Sequence, residues 1–346
     1  MSVIKKLKYV FRITVIIYLI YCLIFKFGII KTEILTALSL WANIIIPSVF
    51  PYLIISQYIS NSYLTEKIPG RFISFIFGIH KCSIKAVICS VLCGYPSGAI
   101  CARTLYDNGE IDIKEAQRLI CFTNNAGPLF LISAVGTSLL GSTQDGVVIY
   151  LIQLMSSFTY GMITREKNIA CHCKTIKKHT HTKGDFCVFV KNAVNICINI
   201  CGFMIAAYVM VSAVCIFTED TLGFFFLKPY IKCFFEITAG IKELCVIESK
   251  KLIFPLVCGA VSWSGFSVIM QIKSVAGDIL SIKTLCKAKF IQAVFSFLIA
   301  LCYKSFIYRE TLSTGKAMAI PISIIGTILI FAIYLFSQKS RYKKFI

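Results

Sequence analysis

The chain has 346 residues, of which 57% are hydrophobic and only 15% are charged, and its mean hydropathy is +0.79. Soluble domains are nearer half apolar and a quarter charged, so this composition excludes an ordinary water-soluble fold and requires lipid as part of the solvent. The formal net charge of +20 comes largely from basic clusters that flank apolar runs, which argues against a nucleic-acid-binding module.

Backbone N–H and C=O groups inside lipid must be paired within the protein, and only helices or closed barrels achieve this. The apolar runs are long and continuous, for example residues 10–24 and 147–163, whereas barrel strands alternate in segments of about ten residues. The sequence therefore predicts an all-α polytopic integral membrane protein with broken or re-entrant helices, and it suggests two weakly related repeats.

The first apolar run follows a basic start that contains Lys5, Lys6 and Lys8. It is too long for the hydrophobic region of a signal peptide and lacks a small-residue cleavage site. We therefore predict that residues 1–33 form an N-terminal anchor helix that is retained. The 17 cysteines fall mostly inside apolar runs, which indicates small apolar side chains and not a disulfide scaffold.

Two predicted membrane halves, residues 34–163 and 186–338, flank a basic loop at 164–185, and a basic tail at 339–346 ends the chain. The positive-inside rule predicts a multi-pass protein of the cell membrane whose termini and basic loop are cytoplasmic. That topology needs an even number of crossings in each half. The predicted apolar stretches are residues 10–30, 34–60, 72–79, 84–105, 119–140, 147–163, 186–217, 222–239, 252–272, 290–307 and 317–337.

Two of these stretches are broken at their middle. Residues 94–98 read GYPSG and residues 123–128 read TNNAGP, and proline and glycine both weaken a helix. A polar connector at 107–118 joins them, so they read either as hairpins or as half-helices that dip into the membrane. Irregular backbone at that depth is tolerated only where protein buries it or where it lines a watery cavity, and transporters build substrate sites from such helices.

The second half contains a weaker echo of this pattern. Residues 262–265 (SWSG) interrupt an apolar stretch and are followed by Gly277 and Asp278 and then by residues 281–283, an order that resembles the break at Pro96 and its connector. Nothing after Lys289 matches the two asparagines. The echo predicts an internal repeat whose breaks meet at a site near the membrane midplane.

We hypothesise that the two breaks of the first half face each other and form one polar pocket for a small polar solute. The alternative is structural, with the asparagine amides capping half-helices and binding nothing. Neither a catalytic residue nor a metal nor a cofactor is predicted. The candidate substrate-binding residues are Gly94, Tyr95, Pro96, Ser97, Gly98, Asn124, Asn125, Gly127, Pro128, Ser264 and Gly265.

Other chemistry is sparse. Walker, HExxH and GxSxG motifs are absent from the sequence, so we do not expect an enzyme. Glu236 is the main acid inside an apolar stretch; it either couples ions or protons or lies at the end of a span beside Lys232. A basic loop contains thiols and imidazoles that could bind a metal, but we predict a solvated loop without zinc; the four residues are Cys171, Cys173, His179 and His181.

The first half resembles a known family in four segments. These are residues 41–51 (WANIIIPSVFP), 94–99 (GYPSGA), 109–119 and 122–130 (FTNNAGPLF), which are similar to motifs of the sporulation integral membrane proteins of the YlbJ type. The resemblance extends to about residue 141. It implies the nucleoside-recognition Gate domain, which also occurs in concentrative nucleoside and ferrous-iron transporters, and a location in the mother-cell or forespore membrane of an endospore-forming bacterium.

Two main function hypotheses follow. The first is a transporter- or channel-like protein that moves a small polar solute during sporulation, and the second is a non-transporting scaffold for assembly of the spore cortex or coat. The expected partners are the lipid bilayer and an unknown small polar solute, with other sporulation membrane proteins left open and nucleic acid excluded. The resemblance does not identify the solute.

Overall fold

The computed structural model describes residues 3–61, 71–166, 186–222, 227–247 and 250–310. All regular structure within these ranges is helical, which confirms the all-α prediction, and six helical segments are long and apolar enough to cross a membrane. The predicted stretch 317–337, the tail 339–346 and most of the basic loop lie outside the described residues.

The α-helices are α1 (Val3–Phe25), α2 (Phe27–Leu40), α3 (Ile46–Asn61), α4 (Arg71–Phe77), α5 (Ile84–Leu92), α6 (Ser97–Asp107), α7 (Ile113–Phe122), α8 (Thr143–Ile163), α9 (Phe186–Leu222), α10 (Lys228–Phe235), α11 (Ile237–Ile247), α12 (Lys250–Trp263), α13 (Gly265–Ala276) and α14 (Ile282–Glu310).

The N-terminal helices divide at Lys26, the single non-helical residue between α1 and α2. A π-helical turn at Trp41–Ile45 joins α2 to α3, because Pro47 has no backbone N–H to continue a regular α-helical ladder. Together they form one apolar segment, Phe27–Ser60. The predicted boundary between residues 33 and 34 therefore falls inside α2, since hydropathy is continuous across Lys26 and could not locate the bend.

Helices α5 and α6 pack against each other as a hairpin, with its tip at residues 93–96. The start of the hairpin lies beside the start of α7, because the Glu115 carboxylate accepts hydrogen bonds from His80 N at 2.7 Å and from Ser83 Oγ at 2.5 Å. The hairpin, which we call hairpin 1, therefore enters and leaves by the same face of the bundle. We call this the proximal face.

Helix α7 begins at the proximal face and ends at a non-helical stretch, residues 123–127, after which a π-helical segment, Phe130–Leu139, continues away from that face. Helix α8 then returns. Arg118 donates to the carbonyls of Phe77, at 2.6 Å, and Gly78, and a Cβ built on Gly78 would lie 2.6 Å from Glu166 O. The end of α8 is therefore also at the proximal face, where the basic loop departs.

Helices α10 and α11 form a second hairpin, hairpin 2, with Glu236 at its tip. The Lys232 ammonium bridges the two arms through Glu243 Oε1 at 2.6 Å, and Gly240 allows close approach because a Cβ there would meet the Cys233 backbone. The predicted stretch 222–239 thus includes only the first arm and the tip of a re-entrant hairpin and is not a full span. The turn could not be predicted from the sequence, because the stretch is apolar and its tip contains neither glycine nor proline.

Helices α12 and α13 form one crossing that is broken at Ser264. Within the described ranges, Ser264 is the non-glycine residue whose φ is positive, at 71°. The end of α13 lies at the proximal face, where Arg103 Nη1 donates to Ala276 O at 3.2 Å. The start of α12 lies at the opposite, distal face, where the Phe254 ring stacks on Tyr303 of α14 at 5.7 Å. Hairpin 2, which leads directly into α12, therefore enters from the distal face.

The same order of hairpin, broken helix and long helix thus occurs twice, with the two hairpins entering from opposite faces. The contacts favour a correspondence that differs from the predicted echo. Gly265 packs on the tip at Glu236, with a built Cβ 3.2 Å from Ile237 N, as Gly94 packs on the first broken helix. Ser264 therefore matches the asparagine break and not Pro96, although a repeat in evolutionary terms stays a prediction.

Candidate functional site

The two predicted breaks of the first half are in direct contact. Tyr95 N donates to Asn125 O at 2.7 Å, and the backbones approach so closely that a Cβ built on Gly94 would lie 2.5 Å from Gly127 N. At Gly98 an added Cβ would lie 2.6 Å from the carbonyl carbon of Thr123. The glycines are thus required by the close approach of two main chains, and the predicted meeting of the breaks is confirmed.

The Asn124 side chain forms hydrogen bonds with both helices at this junction. Its Oδ1 accepts from Ala99 N at 3.0 Å and caps the N-terminus of α6, while its Nδ2 donates to Ile120 O at 2.7 Å in the last turn of α7. The residue is fully buried. Oδ1 therefore holds hairpin 1 on the broken helix, and Nδ2 pairs a carbonyl in the last turn of the broken helix itself, as the capping alternative proposed.

Asn125 is also buried, and its Nδ2 donates to Ser90 Oγ at 2.8 Å and to Phe122 O at 3.3 Å. Its Oδ1 and the hydroxyl of Ser97 are buried and have no hydrogen-bond partner among the described residues. Buried polar atoms without partners are uncommon. This junction therefore retains hydrogen-bonding capacity that the protein itself does not use.

Side chains from α8 and α14 pair further main-chain groups at the break. Gln153 Oε1 accepts from Ala126 N at 3.2 Å and its Nε2 donates to Val261 O at 3.2 Å, which ties the break to α12. From α14, Gln292 Nε2 donates to Cys121 O at 2.8 Å, and Lys289 donates to Asn124 O. The sequence hypothesis omitted these residues. They could have been recognised from their helical spacing, because Lys289, Gln292 and Ser296 form a polar stripe on one face of an otherwise apolar helix.

Glu236 occupies the tip of hairpin 2 and is 3% exposed. Its Oε2 accepts from Ala239 N at 2.8 Å and caps α11, and the Tyr208 and Thr238 hydroxyls lie beside the carboxylate. Lys232 turns away and pairs instead with Glu33 at 2.9 Å and with Glu243. The alternative that Glu236 ends a span beside Lys232 is therefore wrong: the acid lies at a re-entrant tip, inside the bundle.

A cavity of about 30 Å³ lies where the two hairpin tips meet the first broken helix, which is enough for one or two water molecules. Its polar lining residues come from several elements; they are Ser48, Cys93, Tyr95, Glu236, Thr238 and Gln271. The Oε1 atom of Gln271 is buried and has no hydrogen-bond partner among the described residues. The cavity therefore presents a carboxylate, hydroxyls and a free amide acceptor.

Of the predicted site residues, Tyr95 and Gly127 line this cavity. Most of the others form the packed junction behind it. Ser264 and Gly265 lie at the second broken helix, where Ser264 Oγ contacts Val261 O at 3.3 Å. The position of the cavity was missed because hairpin 2 contributes its acid, and no sequence pattern connects residue 236 with residue 95.

Within the described ranges, no group of three or more His, Cys, Asp or Glu side chains could hold a metal ion. The thiol and imidazole group at Cys171, Cys173, His179 and His181 lies outside the described residues. The described cysteines are all free thiols, which agrees with their predicted role as small apolar side chains.

No family model and no solved structure matches the chain. The chain is 22% identical over 305 aligned residues to the sporulation integral membrane protein YlbJ of Bacillus subtilis (strain 168), and the match covers 75% of this chain and 74% of the relative. The nucleoside-recognition Gate domain stays a prediction. The chain is therefore a multi-pass α-helical membrane protein similar to a sporulation integral membrane protein.

Proposed function

We propose that the protein is a transporter that moves a small polar solute across a sporulation membrane, and that the cavity at the two hairpin tips is its binding site. The observation that carries this proposal is Glu236, a buried carboxylate at a re-entrant tip that lines a polar cavity. Ionisable groups at this depth are costly and usually mark solute or ion pathways.

The arrangement of the helices supports the same function. Two hairpins enter from opposite faces and end at one cavity, and discontinuous helices of this kind form substrate sites in secondary transporters. Movement of either hairpin would open the cavity toward its own face while the other hairpin keeps it closed. The cavity as observed holds only water-sized molecules, so a larger solute requires such an opening.

The lining indicates the chemistry of the solute. Glu236 and the free Gln271 acceptor favour a solute with hydrogen-bond donors or a positive charge, whereas the surrounding wall is apolar and includes Phe130 and Val268. A solute with a small apolar body and one or more N–H or O–H groups fits this lining better than a phosphate or a lipid tail.

The test is to replace Glu236 with glutamine, which keeps the acceptor that caps α11 but removes the charge. The variant is expressed in an endospore-forming host that lacks its homologue, and membrane abundance, heat-resistant spores and the metabolites of sporulating cells are measured. Transport predicts normal abundance, fewer spores and a changed level of at least one solute. Asp278→Asn is the matched control, because that carboxylate is exposed at the proximal face.

The scaffold function is favoured by a different observation, the internal pairing of Asn124, since both polar atoms of that side chain already have partners within the protein. A scaffold predicts that Glu236→Gln and Gln271→Leu leave spore formation unchanged at normal abundance. Unchanged spores and metabolites in both variants would therefore reject the transporter in favour of the scaffold.

We further propose that the proximal face is cytoplasmic. The basic loop departs from this face next to Arg165, and lysine and arginine are enriched on the cytoplasmic side of membrane proteins. The membrane would be that of the mother cell or the forespore, as the similarity to a sporulation membrane protein suggests.

A further inference from the structure

Lys289 is the largest charged side chain that is completely buried in the described part of the protein. It lies in α14, seven residues after the helix begins at the proximal face, and its ammonium donates to Asn124 O. Gln292 Oε1 lies 3.4 Å from the same nitrogen. The charge is thus surrounded by neutral oxygen atoms inside the bundle.

No carboxylate of the described residues forms an ion pair with this ammonium, and its titratable neighbour is the Cys121 thiol. A buried charge without a counter-ion is strongly unfavourable unless polar groups compensate for it. Here the compensation comes from the end of α7, because carbonyl groups without a partner inside the helix give a helix C-terminus a partial negative charge. The break in α7 thus creates the negative potential in which Lys289 lies.

We propose that the break after α7 is a binding site for a monovalent cation and that the Lys289 ammonium is its tethered occupant. Main-chain and amide oxygens are the ligands that such a cation takes when helices unwind in a membrane. The site is separate from the cavity at Glu236 and does not depend on the proposed transport function. Its role is to neutralise the broken end of α7 so that hairpin 1 packs against it without an added ion.

The experiment compares Lys289→Ala with Lys289→Met in the full-length protein purified in detergent. Both variants remove the charge, but only the alanine leaves a space the size of a small cation. Thermal unfolding is followed in chloride salts of ammonium, methylammonium, sodium, potassium and tetramethylammonium at one ionic strength. We expect both variants to unfold roughly 3–8 °C below the native protein, since a buried carbonyl loses its partner.

Only Lys289→Ala should then recover stability in a small cation, with ammonium or methylammonium effective and tetramethylammonium ineffective because of its size. Lys273→Ala is the matched control. That lysine also donates to carbonyls, including Leu280 O at 2.6 Å, but it is only partly buried, so water should replace it and no salt should have a specific effect.

Three results would overturn the proposal: native stability of Lys289→Ala, the absence of any cation-specific recovery, or equal recovery of the alanine and methionine variants. If Lys289→Ala does not accumulate, Lys289→Gln takes its place, because it keeps a donor for Asn124 O without the charge. A glutamine variant as stable as the native protein would then show that no cation is needed at this break.

Discussion

Asn124 Oδ1 lies 3.0 Å from Ala99 N, so a side chain from one broken helix caps the first turn of a neighbouring re-entrant helix. The Nδ2 atom of the same side chain donates a hydrogen bond to Ile120 O in its own helix. One residue therefore satisfies main-chain groups on both sides of the junction, which explains how two helix ends are tolerated at membrane depth.

Replacement of Asn124 by alanine should destabilise the protein by roughly 1–3 kcal/mol, because it removes a helix cap and leaves a buried carbonyl unpaired. The unfolding midpoint in detergent and the abundance in membranes measure the effect. Asn43→Ala is the control, since Asn43 is exposed and bonds only within its own helix turn. Equal effects of the two substitutions would argue against the capping role.

Replacement of Gly98 by alanine should separate hairpin 1 from the broken helix, because the added Cβ meets the Thr123 backbone, which cannot move aside. We expect a loss of about 1–3 kcal/mol and poor accumulation in membranes. Gly202 offers the opposite case, with no atom near its built Cβ, and Gly202→Ala should be neutral or stabilising by up to about 1 kcal/mol. A well-folded Gly98→Ala protein would contradict the packing described here.

Replacement of Lys232 by methionine should cost about 3–5 kcal/mol, because Glu33 and Glu243 would lose their shared counter-ion in a largely buried position. Arg103→Met should change stability far less, since its partners Asp107 and Asp278 are 49% and 94% exposed. Unfolding of both variants at low and high salt measures the difference. A Lys232→Met protein of native stability would show that these carboxylates do not need the ammonium.

Labelling with a membrane-impermeant thiol reagent in intact cells tests the topology. Cysteines introduced at Lys81, Lys114 and Lys178 should stay unlabelled, because hairpin 1 and the basic loop share the proximal face, which we propose is cytoplasmic. A cysteine at Gln144, at the start of α8, should react from outside. Labelling is compared with that of the unchanged protein. Strong reaction at position 178, or opposite results at positions 81 and 114, would contradict the proposal.

Purified protein should contain no stoichiometric zinc on Cys171, Cys173, His179 and His181, because the sequence predicts a basic, solvated loop there and such a loop does not hold four ligands in a fixed geometry. Elemental analysis of the native protein provides the measurement. The control is the variant with all four residues changed to serine or alanine. Zinc that is present in the native protein and lost only in this variant would disprove the prediction.

The sequence by itself determined the class of protein and the positions of three breaks. Composition and continuous apolar runs leave only transmembrane helices, since lipid offers no partner to an unpaired backbone. The breaks at residues 94–98, at 123–128 and near Ser264 were visible because glycine, proline and asparagine interrupt a helix through local chemistry. The close approach of the first two breaks could also be predicted, because paired breaks can satisfy each other's main-chain groups.

Only the tertiary structure decided that residues 84–107 and 228–247 are re-entrant hairpins from opposite faces, because an apolar run has the same composition whether it crosses the membrane or turns back. It also decided the partners of the breaks. Glu236 joins Tyr95 at one cavity, and Lys289 reaches Asn124 across 165 residues of chain. Such contacts depend on how helices pack in three dimensions, and a sequence pattern reports only the neighbours along a single helix.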